Sequence, residues 1–93
     1  MEKFQAALIT DGKLQIAIIA IDKKTVDNQD LMHKMIQFFK TNIFKEAEIA
    51  LMYLNTDKKP MYYGKKEIVQ FLYKQLWKQL PWKEYELGKN VVF

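Results

Sequence analysis

Residues 15–21, Gln15-Ile16-Ala17-Ile18-Ile19-Ala20-Ile21, constrain this chain more than any other segment. Successive side chains of a β-strand point to opposite faces of the sheet. A half-exposed strand therefore alternates apolar with polar residues, whereas this one is apolar on both sides. Such a strand sits centrally in its sheet and needs cover above and below. Asp11-Gly12 precedes it, and Asp-Gly between apolar runs marks a tight hairpin. Residues 4–10 are thus predicted as the first strand and residues 13–22 as the second. The apolar run at residues 16–21 is far shorter than the roughly 20 residues a membrane helix needs.

After a loop at residues 23–26, Asp27 suits a helix N-cap, Asp30 favours the positive end of the helix, and Val26 and Leu31 can staple it. The helix is predicted to run to about Phe44. Leu31, Met32, Met35, Ile36, Phe38, Phe39 and Ile43 fall on one face, and His33, Gln37, Lys40 and Thr41 on the other. Residues 46–54 form the third strand and residues 60–63 a short fourth, where Pro60 indicates an edge position. A second helix is predicted over residues 65–80, stopped by Pro81. Ile68, Val69, Leu72, Leu76 and Leu80 make its core stripe. Residues 83–93 offer a fifth strand. Residues 39–49 echo residues 77–87 at an offset of 38, suggesting a faint ββα duplication over about 4–44 and 47–82.

The expected fold is therefore one α+β domain spanning residues 1–93, in the order ββαββα. A four- or five-stranded sheet carries both helices on one face. The apolar second strand then requires a cover on the other face, and self-association through that face or through the edge at residues 60–63 is the simplest cover.

Composition removes whole chemistries. The 93 residues include no Cys, Ser or Arg, and a single His. Serine and cysteine nucleophiles, disulfides and thiolate metal sites are excluded, and so is bidentate arginine recognition of phosphate or guanine. No G-x-G-x-x-G or G-K-[ST] phosphate loop is present. The net charge of +4 is uneven. Residues 1–57 hold seven Lys against eight acids, and residues 58–93 hold eight Lys against three. Attraction to an anionic partner belongs to the C-terminal third. The N-terminus shows no signal-peptide pattern, and the expected location is the cytoplasm.

The most distinctive candidate site lies around the second helix. Lys66, Tyr73, Lys74 and Trp77 fall opposite the core stripe, with Lys58, Lys59, Tyr62 and Tyr63 just before and Trp82 just after. Tyr and Trp on a helix flank are typical interface anchors. The same rings interleaved with lysines are also suited to stacking single-stranded nucleic acid. The rings equally suit a core packed under the C-terminal tail. His33 has no carboxylate one turn away to orient it and reads as a surface residue. Asp22, Asp27 and Asp30 approach an oxygen-ligand set, but capping accounts for Asp27 and Asp30 without a metal. Glu46 and Glu48 mark a solvated strand entrance.

From Gln15 onward the order strand, helix, strand, hairpin, strand, helix is similar to the core of a thioredoxin-like fold, with residues 49–76 resembling its closing hairpin and helix. The family's Cys-x-x-Cys is missing, as is a proline before the third strand, and element order alone implies no activity. The expected function is a small non-catalytic protein-interaction module without cofactor or metal, binding a second copy or another protein. A weak single-stranded nucleic-acid binder and an accessory subunit of an enzyme are the alternatives.

Overall fold

The computed structural model describes residues 3–22 and 26–86. Strands β1 (Lys3–Asp11), β2 (Leu14–Ala20), β3 (Ala47–Leu54), β4 (Pro60–Tyr63) and β5 (Trp82–Glu86) form one sheet in the order β4-β3-β2-β1-β5. Helix α1 (Gln29–Asn42) connects β2 to β3, which run parallel. Helix α2 (Lys66–Tyr73) and a 3-10 turn (Trp77–Gln79) connect β4 to β5. The other pairings are antiparallel. The α+β class, the ββαββα order and a five-stranded sheet are as expected. The remainder of the expected C-terminal strand, residues 87–93, lies outside the described residues, as does most of the loop at residues 23–26.

One part of the expected architecture is corrected. The helices lie on opposite faces of the sheet, not on one. Ala17 and Ile19 of β2 pack with Met32 and Phe39 of α1, while Ile16 and Ile18 of the same strand pack with Ile68 and Leu72 of α2. The four β2 residues Ile16–Ile19 are fully buried. The two-sided apolar strand is thus covered within the chain, one helix to each side, and a second subunit is not needed for it.

Local chemistry sets the connections. Asp11 pairs with Leu14, so the hairpin loop is Gly12-Lys13. Gly12 has φ +64°, and among the described residues Lys58 is the only non-glycine with positive φ. A positive φ at the first loop position alone is the pattern of a II′ turn, whose twist matches the strands. Asn28, not Asp27, caps α1: its Oδ1 accepts from Leu31 N–H at 3.0 Å. Lys40 reaches back to donate to the Ala47 carbonyl at 2.7 Å, tying the end of α1 to the start of β3.

The β4 edge offers few outward donors. Tyr62 sits opposite Met52, and its N–H donates away from β3 to the Tyr73 hydroxyl at 3.4 Å. Pro60, two positions earlier and facing the same way, has no N–H. The outward donors that a strand from another chain needs are missing or taken. The β2 face is covered within the chain, and the β4 edge offers few donors to a second copy.

Candidate interaction surface

The predicted helix over residues 65–80 ends at Tyr73. The N–H groups of Lys74 and Gln75 close onto the carbonyls of Phe71 and Leu72, tightening the last turn to i→i−3 bonds. Leu76 is then extended (φ −85°, ψ 102°) and the 3-10 turn follows. The break cancels the 3.6-residue period beyond Tyr73 and exchanges two side chains. Leu76, predicted in the core stripe, is 68% exposed. Trp77, predicted on the outer flank, turns inward and packs half-buried against the α2-side core with Val69, Phe71, Leu80 and Trp82. Trp82 Nε1–H donates to the Trp77 carbonyl at 2.8 Å, which fixes the turn to the start of β5.

The predicted site residues are divided by the sheet. Tyr73 is 50% exposed beside Lys74, and Lys66 is exposed about two turns away on the same helix. Tyr62 is buried beneath Tyr73, their rings edge-on with centroids 5.1 Å apart. It is core rather than an anchor. Tyr63 faces the opposite side, packed against the α1-side core, with its hydroxyl 2.7 Å from His33 Nε2. Alternation along β4 separates these adjacent tyrosines.

At the end of α2, Tyr73, Leu76 and half-buried Trp77 make an apolar corner, and Leu54 is exposed at the end of β3. Leu54, Met52, Trp77 and Trp82 line a recess of about 230 Å³. Lysines border this corner. Lys78 Nζ stands 5.8 Å from the Trp77 ring centroid. Lys59 is bonded to Asn55, next to Leu54, through both its N–H and its carbonyl. Residues 57–81 contain Lys58, Lys59, Lys65, Lys66, Lys74 and Lys78 against Asp57 and Glu67. Sequence periodicity missed Leu76 and Leu54; only a signal for the helix break, which no Gly or Pro marks before Pro81, would have found Leu76.

The Tyr62 hydroxyl is buried with no hydrogen-bond partner. Burial raises its pKa above the usual tyrosine value, and Tyr73 adds in the same direction. Leaving a buried polar group unsatisfied costs about 1–3 kcal/mol. Tyr62→Phe is therefore expected to leave stability unchanged or raise it by about 1 kcal/mol, measured by urea unfolding at pH 7. The folded chain holds this proton more tightly than the unfolded chain. The contribution is complete below about pH 10 and lost as pH rises through the raised folded value. Wild type should thus lose stability relative to Tyr62→Phe as the pH rises above about 10, the curves running parallel below it; curves parallel above pH 10 as well would contradict the burial of the phenol.

Among the described residues, no group of three His, Cys, Asp or Glu side chains is placed to hold a metal ion. Glu46 is exposed before β3, whereas Glu48 is half-buried and paired with Lys65 at 3.1 Å. The exposed Lys3–Glu84 pair, at 3.5 Å, adds little. No described helix is long and apolar enough to cross a membrane. Comparison with protein families, curated proteins and solved structures finds no match to this chain.

Proposed function

We propose that this protein is a cytoplasmic, non-catalytic interaction module that docks a protein partner at the α2 corner, with Tyr73, Leu76 and Trp77 as anchors. The observation that carries this reading is the exposure of Leu76 at 68% and Tyr73 at 50%, adjacent to a half-buried tryptophan. Large apolar and aromatic side chains surrounded by a polar rim are the usual composition of an interface core. The rim is rich in lysine, so the partner surface carries acidic residues. An isologous dimer through this corner would set lysines against lysines, which favours a different protein over a second copy. The nucleic-acid alternative has weaker support: Tyr73 and Trp77 do not share one helix flank, and Trp77 is half-buried with the Lys78 ammonium near its ring.

Leu76→Asp tests the proposal, with Leu14→Asp at the distant hairpin as control. A partner recovered with the wild-type chain and then purified should bind Leu76→Asp at least about thirtyfold more weakly, equivalent to about 2 kcal/mol. It should bind Leu14→Asp normally and lose affinity as salt rises. Equal binding of wild type and Leu76→Asp would refute the assignment. Steeply salt-dependent binding of a labelled single-stranded oligonucleotide, abolished by Trp77→Ala, would transfer the corner to the nucleic-acid reading. Sedimentation should show a monomer; a dimer that Leu76→Asp dissociates would make the second copy the occupant.

A further inference from the structure

At the edge of β3 beyond the end of β4, where the α1 side meets the start of α2, a cleft of about 290 Å³ is lined by His33, Ile36, Glu48, Ile49, Tyr63, Gly64 and Lys65. Four of these residues are polar and arranged in two bonded pairs. Tyr63 Oη and His33 Nε2 are 2.7 Å apart, with their rings edge-on at 5.5 Å. Lys65 Nζ and Glu48 Oε2 are 3.1 Å apart. Helix α2 begins at this wall, and its N-cap residue, Lys65, makes no side-chain capping bond. Gly64 allows the wall to lie close to β3: a Cβ there would come within 3.2 Å of the Ile49 carbonyl oxygen. Ile36 and Ile49 supply an apolar part of the lining.

The charges in this cleft select among ligands. The charges of Lys65 and Glu48 sum to zero. A simple anion attracted by Lys65 would also meet the Glu48 carboxylate, and a simple cation drawn to Glu48 would meet the ammonium. A ligand with both charges satisfies both, its carboxylate toward Lys65 and its ammonium toward Glu48, two oppositely oriented ion pairs side by side. The Tyr63–His33 pair supplies a further hydrogen-bonding edge, and the isoleucines suit an aliphatic body. The volume stands at the lower end of small-molecule pockets, which run from about 300 Å³ upward, and is small for a nucleotide.

We propose that this cleft binds a small zwitterion, an α-amino acid with an aliphatic side chain. The proposal is independent of the docking anchors Tyr73, Leu76 and Trp77, which lie at the other end of α2.

The test is a heteronuclear NMR titration of the isotope-labelled protein with leucine, N-acetyl-leucine (anion only) and leucinamide (cation only). Leucine should give saturable shifts at the amides of His33, Ile49, Gly64 and Lys65. The two single-charge analogues should bind at least about tenfold more weakly. Lys65→Met and Glu48→Gln should each weaken leucine at least about tenfold while the remaining resonances stay in place, which shows that the fold is intact. No saturable shift at millimolar leucine would overturn the proposal, as would equal binding of leucine and N-acetyl-leucine. Glu48→Gln binding leucine as well as wild type does would also overturn it.

Discussion

Phe39→Ala is expected to destabilise the protein by about 3–5 kcal/mol, read as a fall in the urea midpoint. Phe39 is 1% exposed and stands at the centre of the α1-side core. Its ring centroid lies 4.9 Å from that of Phe4, 5.5 Å from Phe38 and 6.5 Å from Phe44. Truncation removes these ring contacts and leaves a cavity between α1, β1 and β3 that the neighbouring rings can only partly fill. A domain of this size has a total stability of roughly 5–14 kcal/mol, so the variant should be close to unfolded at 37 °C. A loss below about 1 kcal/mol would show that the ring is not buried between helix and sheet.

Leu72→Ala is expected to cost about 2–5 kcal/mol by the same mechanism on the opposite face. Leu72 is fully buried with Ile16, Ile18, Met52, Tyr62 and Ile68. Helix α2 has only eight residues and a core-facing stripe of Ile68 and Leu72, with Val69 partly buried beside them, so Leu72 carries much of its attachment. Amide exchange should show protection falling first at residues 66–73, ahead of α1. The milder pair Phe39→Leu and Leu72→Val should each cost about 1 kcal/mol and add within about 0.5 kcal/mol in the double variant, because the sheet separates the two sites. Strong coupling between them would contradict helices on opposite faces.

The elements themselves were legible because their signals are local. Asp11-Gly12 placed the hairpin within one residue, the apolar face of α1 was correctly read from Met32 to Ile43, and Pro60 marked a true edge. Two errors shared one cause. The helix end at Tyr73 carries no Gly or Pro, so periodicity ran on to Leu80 and placed Leu76 inside and Trp77 outside. The same overrun set Tyr73 and Trp77 on one flank. The contacts of His33 were beyond reach for another reason. Its partner Tyr63 lies 30 residues away, across a β-strand and two turns. No spacing rule links them, just as none links Glu48 to Lys65.

By itself, the sequence determined the α+β class, the order of the elements, the absence of serine, cysteine and arginine chemistry, and the requirement that β2 be covered on both faces. That last requirement follows from the two-residue period of a strand, a property of the backbone alone. Only the tertiary structure decided what supplies the cover. The reason is that a strand's pattern states how much apolar surface must leave water, not which element removes it. A second helix and a second subunit satisfy that demand equally. Here α2 crosses to the face opposite α1 and meets the demand within one chain. The most exposed of the large apolar side chains, Leu76, is then at the α2 corner, where the helix stops early and turns it outward.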